Sequence, residues 1–396
     1  FLDSKPHTLM LAEDAGLTGN LYRSNDAARK RFIMRNGKLV KLPEKPQEFF
    51  KSELLTFKGK LRVMMELFIK AKTDEEDETI AAFATRRLGE EACDYLISPM
   101  VSGIFAGDPE KMSLKSCFPV IHNLEVEYGG LFKGMFKKKG KKSGPAGPGG
   151  VLTSYKGGLI NFINDISSKF ENVTVKTSES VVSVRKDGGI FVVATNKDTY
   201  RFDYLIVTAP AYESKTFLRN LNESLSENLS KIVYAPAFVT GIGLLERDIT
   251  DPLDGFGYLV PSKENRRILG ALFTSSIFPE RVESGKKLIR VIMGGDKNRW
   301  ITEKSEMELQ EIAFEEIKGA LGIKNRPLSF TSFYWEKAIP QYYVGHSKIV
   351  ENIENISNEI NKIFFGSNIL YGVGINDCTR ASYDIVNRLV GSIKDK

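Results

Sequence analysis

No apolar run in this sequence approaches the roughly 20 residues that a membrane-crossing helix needs, and nothing at its start has the zones of a secretory signal. The expected location is cytoplasmic, at most peripheral on the cytoplasmic membrane. Cysteines are few and scattered (Cys93, Cys117, Cys378), which argues against a disulfide framework and for a reducing compartment. His7, His122 and His346 share no ligand spacing with them, so no metal site is expected. There is no obvious Ser/His/Asp or paired-carboxylate constellation. The lysine-rich tract within 129–150 lacks the G-x-x-x-x-G-K-[ST] spacing, which excludes a P-loop. The net charge of +6 owes much to Lys133, Lys137, Lys138, Lys139, Lys141 and Lys142. So modest an excess fits a membrane surface, an acidic small molecule or no particular partner. No nucleic-acid partner is expected.

What is present is globular. The 396 residues, 42% hydrophobic, suffice for two or three domains or one large interleaved unit. Asn36-Gly37 between two β-rich segments marks a hairpin. From Gln47 to Arg87 large apolar residues alternate with lysines at helical spacing. That pattern suits either a core-packing helix pair or helices lying in a headgroup layer. Thr79 to Ser98 is expected to be a further helix, residues 103–109 a turn-rich connection, and 129–150 a surface loop. Between 151 and 210 strands and helices alternate, with strands at Val173-Thr-Val175 and Val181 to Val184. From 235 to 345 β-runs dominate around one helix, Glu306 to Leu321, which suggests an antiparallel, substrate-facing sheet with one helical layer.

The stretch from Lys362 to Arg388 organises the rest. Ile363-Phe364-Phe365 reads as a strand buried on both faces. Gly372 and Gly374 then frame a tight loop, Tyr371-Gly-Val-Gly-Ile-Asn-Asp-Cys378, that runs into a helix with one apolar face. Asn376, Asp377 and Thr379 stand where they could cap it. A glycine loop at a helix N-terminus suits an anionic ligand, although short glycine motifs also occur in ordinary strand–loop–helix connections.

Eight segments in one order carry a resemblance. They include Arg29-Lys-Arg-Phe-Ile33, Ser102-Gly-Ile-Phe-Ala-Gly-Asp-Pro-Glu-Lys111, Ser154-Tyr-Lys-Gly-Gly-Leu159, Thr208-Ala-Pro-Ala-Tyr-Glu213 and Gly255-Phe-Gly-Tyr-Leu-Val-Pro-Ser-Lys263. Phe273-Thr-Ser-Ser-Ile-Phe-Pro279, the Trp335 to His346 block and Gly372-Val-Gly-Ile-Asn-Asp-Cys378 complete the set. Across essentially its whole length the chain resembles the oxygen-dependent protoporphyrinogen oxidases and their bacterial coproporphyrinogen-oxidising relatives.

The resemblance implies an α/β fold, α+β in the substrate part, of the FAD-linked reductase and amine-oxidase type. FAD-binding, substrate and helical membrane-binding domains would interleave: 1–46 (substrate and FAD segment), 47–130 (helical), 131–150 (Lys/Gly-rich loop), 151–215 (FAD), 216–345 (substrate) and 346–396 (FAD). It implies flavin-dependent oxidation of a porphyrinogen, protoporphyrinogen IX or coproporphyrinogen III, with O2 as acceptor, in haem biosynthesis. No side chain need act as catalyst, because the flavin carries the chemistry.

By motif, Gly372, Val373, Gly374 and Ile375 offer backbone to FAD, Val181 contacts adenine, and Trp335 lies beside the isoalloxazine ring or in the core. Arg31 matches the propionate-binding position, Phe256, Leu259 and Ile292 line the macrocycle's face, and Gly103 contributes backbone beside it. For the apolar positions plain core packing is the competing reading, and for Arg31 it is an exposed arginine on a hairpin among Arg29, Lys30 and Arg35. The family's opening βαβ unit, with its G-x-G-x-x-G loop, has no counterpart here, and Phe1-Leu-Asp-Ser4 reads as the segment after it. The alternatives are another flavin amine-oxidase or desaturase-type enzyme, or a flavin-free fragment. A homodimer is left open.

Overall fold

The computed structural model describes residues 1–25, 29–74, 76–137 and 150–394. They form two compact units that alternate along the chain. One comprises Phe1–Tyr22, Leu152–Val233 and Gly345–Lys396, and the other Arg23–Val151 and Tyr234–Val344.

The second unit is built on a seven-stranded sheet. In chain order its strands are β1 (Arg31–Arg35), β2 (Lys38–Lys41), β3 (Tyr234–Leu245), β4 (Gly257–Leu259), β5 (Gly270–Leu272), β6 (Lys286–Gly294) and β7 (Ser329–Pro340). They lie side by side as β7-β3-β6-β5-β4-β1-β2. The β1–β2 hairpin closes on Asn36 and Gly37, both at positive φ (53° and 73°), as the two-residue turn requires. The sheet is antiparallel except where β1 runs parallel to β4. The strands between 235 and 345 pair antiparallel throughout, as the sequence suggested; the parallel pair brings in β1 from far upstream, a pairing no local pattern encodes.

One face of this sheet is the core. Helix Glu306–Leu321 starts at a Ser305/Glu308 capping box and ends at Gly322, φ 61°. Its Leu309, Ala313, Phe314, Ile317 and Leu321 recur at one helical spacing and pack on Phe238, Ile242, Tyr258, Ala271, Ile289, Val291 and Met293. Burying such side chains stabilises by about 1.5–3 kcal/mol each, so this face fixes the sheet's register and with it the residues on the opposite face.

Helices between 46 and 137 complete the unit. Ile80–Leu88 stops at Gly89 (φ 95°), and a π-helical turn, Cys93–Ile97, leads into Ser98–Phe105. Gly103 is therefore helical, not part of a turn-rich connection as expected; the helix ends three residues later, where Ala106 adopts φ 48°. Arg87 is fully buried and pairs with Glu66, itself fully buried, and with Glu125. Glu66 also accepts the backbone N–H groups of Leu131 and Phe132. That requirement helps hold Leu131–Lys137 as a helix where a loop was expected. The lysine run at 138–142 lies outside the described residues.

In the first unit Leu205–Val207 and Ile363–Phe365 pair in parallel, with Phe364 opposite Ile206. Val181–Asp187, Ile190–Thr195 and Thr199–Phe202 form an antiparallel sheet. Val173-Thr-Val175, expected as a strand, is irregular and exposed; its alternation meets no sheet edge among the described residues. No helix among the described residues is long and apolar enough to cross a membrane.

Candidate functional site

Directly paired strand residues share a face of the sheet, so the register of the second unit sorts its side chains. Tyr258, Ala271 and Val291 face the core. Leu259 is paired with Gly270, Gly270 with Ile292, Ile292 with Val239 and Val239 with Phe333. This row occupies the other face. Trp335, two residues after Phe333, stands beside it there, stacked on Phe333 at 5.8 Å between ring centroids. Trp335 is 48% exposed, which removes the reading of a core tryptophan. A neighbouring row runs Arg31, Gly257, Leu272, Arg290, Gly241, Thr331.

Four of the five substrate positions read from the sequence thus meet on or beside one face. The fifth, Gly103, comes from the Ser98–Phe105 helix above it. A Cβ at Gly103 would fall 2.8 Å from Leu259 Cδ2, so only glycine lets the helix approach this closely without displacing Leu259. Arg31 lies over the Phe256 ring at 5.4 Å, and Phe256 N–H donates to Lys30 O at 2.7 Å. Gly257 has φ 137°, and a Cβ there would stand 2.1 Å from Ala271 O. Burial pushes the Arg31 guanidinium below its ordinary pKa, while Glu44 draws it back up. Such a half-desolvated fork favours a carboxylate partner.

Leu259, Leu272, Ile292 and Val239 are only partly buried, unlike the core-facing residues beside them. The result is a largely apolar, partly buried face, with glycines at 257 and 270 and with Arg31 and Arg290 in the neighbouring row. Phe333 and Gly270 belong to it and were not singled out from the sequence. The two-residue alternation through Phe333 and Trp335 was the available signal.

In the first unit the Gly372–Ile375 loop follows the C-terminal end of Ile363–Phe365 and opens helix Ile375–Lys394. Gly372 has φ 122°, and a Cβ there would meet the Asp377 side chain at 2.7 Å. The expected caps are used otherwise. Asn376 accepts from Thr8 Oγ1 (2.6 Å) and donates to Leu2 O (3.0 Å), and Thr379 Oγ1 donates to Ile375 O. Asp377 pairs with Lys5 at 2.8 Å. These bonds tie the loop to the chain's first residues, Leu2 to Thr8. Ser367 Oγ, between the strand and the loop, is buried with no hydrogen-bond partner among the described residues, and Ser367 holds φ 111°. An orphaned hydroxyl, a glycine turn and a helix N-terminus at a parallel-strand end fit a polar, nucleotide-bearing cofactor. Val181 begins an edge strand of the antiparallel sheet and is 39% exposed.

The chain belongs to the flavin-containing amine oxidoreductase family, whose profile matches residues 1–389. It is 28% identical over 405 residues to protoporphyrinogen oxidase 2 (chloroplastic/mitochondrial) of Arabidopsis thaliana, covering 94% of this chain and 80% of that protein. With the coproporphyrinogen III oxidase of Bacillus subtilis (strain 168) it shares 26% over 396 residues, 96% of this chain and 82% of that protein. Its fold is that of a solved structure from Exiguobacterium sp. 255-15, with a TM-score of 0.82 at 20% identity, over 98% of this chain and 86% of that one. The protein is a flavin-dependent oxidoreductase with FAD as its cofactor.

Proposed function

We propose that the protein oxidises a porphyrinogen, protoporphyrinogen IX or coproporphyrinogen III, to the porphyrin in haem biosynthesis, with O2 as the final acceptor. The observation that carries this reading is the open sheet face on which Leu259, Ile292, Phe256 and Arg31 gather under Gly103. A porphyrinogen is a broad, apolar macrocycle with carboxylates at its rim, and this face offers an apolar floor with a cation at its edge.

The bound flavin supplies hydride acceptance. The chain's residues bind and orient. Arg31 anchors a propionate, Leu259 and Ile292 support the ring and displace water, and Phe256 holds the Arg31 guanidinium in place. In the first unit Gly372, Val373, Gly374 and Ile375 present backbone to the cofactor, and Val181 meets its adenine. The unit holding Gly372 and Val181 is assigned to FAD, and the sheet-bearing unit to the substrate.

The chain also meets a membrane surface, and it works in the cytoplasm. Phe57, Leu61, Met64 and Phe68 recur on one stripe and are exposed, Phe57 and Phe68 each at 82%, while Val63 and Glu66 face inward. Lys51, Lys58 and Lys70 are exposed nearby. Apolar residues outward beside lysines suit an anionic headgroup layer.

The reading is tested by adding each porphyrinogen to the FAD-loaded protein in air and following porphyrin fluorescence. Porphyrin formation above the rate without protein is expected. Turnover of amines with none of porphyrinogens would overturn it.

A further inference from the structure

Arg290 is the feature of the sheet face that the reading so far leaves unused. It sits on β6 between Ile289 and Val291, both fully buried against the core, so its own side chain is committed to the opposite, site-bearing face. The register places it in the row Arg31–Gly257–Leu272–Arg290. Between the two arginines stand only a glycine and a leucine. Neighbouring strands lie about 4.8 Å apart, so three steps put the two backbones about 14 Å apart.

Arg290 has no carboxylate partner among the described residues. The charged group that acts on it is Arg281, a second cation. Surrounding protein pushes its guanidinium below the ordinary pKa, and Arg281 adds to that effect, yet the side chain still reaches solvent. An exposed arginine on this face with no carboxylate beside it among the described residues offers an arriving carboxylate a charge-assisted, two-point contact. Arg31 differs, since Glu44 acts on it.

We propose that Arg290 is a second carboxylate-binding residue of this face, receiving a propionate on a pyrrole that protoporphyrinogen leaves uncharged, so that coproporphyrinogen is the preferred substrate. This rests on the porphyrinogen reading above. Protoporphyrinogen carries its two propionates on adjacent pyrroles, and its remaining rim bears vinyl groups. Coproporphyrinogen carries a propionate on every pyrrole. With Arg31 at one edge of the floor and Arg290 three strands away, a macrocycle between them presents one carboxylated edge to Arg31 and the far edge to Arg290. A vinyl group there would leave Arg290 without a counter-charge; a propionate would complete a charge-assisted pair.

The test is Arg290→Gln and Arg290→Lys, assayed with both porphyrinogens, alongside binding of coproporphyrin III and protoporphyrin IX by quenching of tryptophan fluorescence. The unsubstituted protein is expected to favour coproporphyrinogen in kcat/KM. Arg290→Gln should raise KM for coproporphyrinogen at least about tenfold more than for protoporphyrinogen, the worth of one charge-assisted hydrogen bond. Arg290→Lys should recover part of the preference, because it keeps the charge without the fork. Equal effects on both substrates, or none on either, would overturn the assignment of Arg290. Failure of the unsubstituted protein to bind or turn over either porphyrin would instead overturn the porphyrinogen reading.

Discussion

Replacing Arg31 by Ala should raise KM for a porphyrinogen by about tenfold to a hundredfold while kcat changes by no more than about threefold. Arg31 lies on β1 with its guanidinium 5.4 Å above the Phe256 ring, at the rim of the apolar floor. A carboxylate at that rim lies far from the ring carbon that gives up hydride, so its contact is equal in ground and transition states. Removing such uniform binding raises KM and spares kcat. A charge-assisted, bidentate contact is worth about 1.5–3 kcal/mol, which converts to the range above at 1.4 kcal/mol per tenfold. Loss of the Phe256 contact takes a further 0.5–1 kcal/mol or so from the folded protein, so thermal unfolding of the variant must accompany the kinetics. Arg31→Lys should fall between, since it keeps charge but not the planar fork. The assay is porphyrin fluorescence against substrate concentration at fixed O2. An unchanged KM in a folded variant would refute the role, and so would a fall in kcat as large as the fall in kcat/KM.

Three further outcomes follow from the geometry. Arg87→Met leaves the buried Glu66 and Glu125 carboxylates without their shared cation and should destabilise by about 3–5 kcal/mol. A Tm drop of about 6 °C or more is expected, and the Arg87→Met/Glu66→Leu pair should lose less than the two single changes added together. Burial alone would push the Asp296 carboxyl up, but hydrogen bonds from Arg299, Tyr343 and Lys111 outweigh that and hold it below its ordinary value. Its contribution is therefore present above the unfolded pKa of about 3.9 and is lost as pH falls through the lower folded value. Asp296→Asn should be less stable at neutral pH and should narrow its gap to the parent in acid, measured as Tm against pH. Phe57→Ser with Phe68→Ser should weaken binding to anionic vesicles by about tenfold or more, read by co-sedimentation. Equal sedimentation of variant and parent would remove that stripe from the membrane.

Much of the fold could be read locally. Asn36-Gly37 announced its hairpin because two positive-φ residues in sequence suit little else. Glu306 to Leu321 was legible from its spacing, and Ile363-Phe364-Phe365 from its unbroken apolar run. Gly103 was misjudged because glycine marks turns more often than it marks a close helix approach; its reason, Leu259, is 156 residues away. Val173-Thr-Val175 had the composition of a strand but no partner edge. Asn376 and Thr379 looked like caps, but Asn376 bonds Thr8 of a distant helix and Thr379 the Ile375 carbonyl of its own. The expected substrate positions could be listed from motif order, but their shared face follows only from a strand order in which β4 lies between β5 and β1. Arg290 was invisible for the same reason. Within Lys286–Gly294 it reads as one more exposed cation, and it acquires meaning only through Leu272 and Gly257, which connect it to Arg31.

The most direct test of the account is one preparation measured for released FAD and for porphyrin formed from coproporphyrinogen III in air. Near-stoichiometric FAD, with porphyrin appearing faster than by autoxidation and peroxide released alongside it, is the predicted result. Folded, FAD-loaded protein that forms no porphyrin from either porphyrinogen would contradict it.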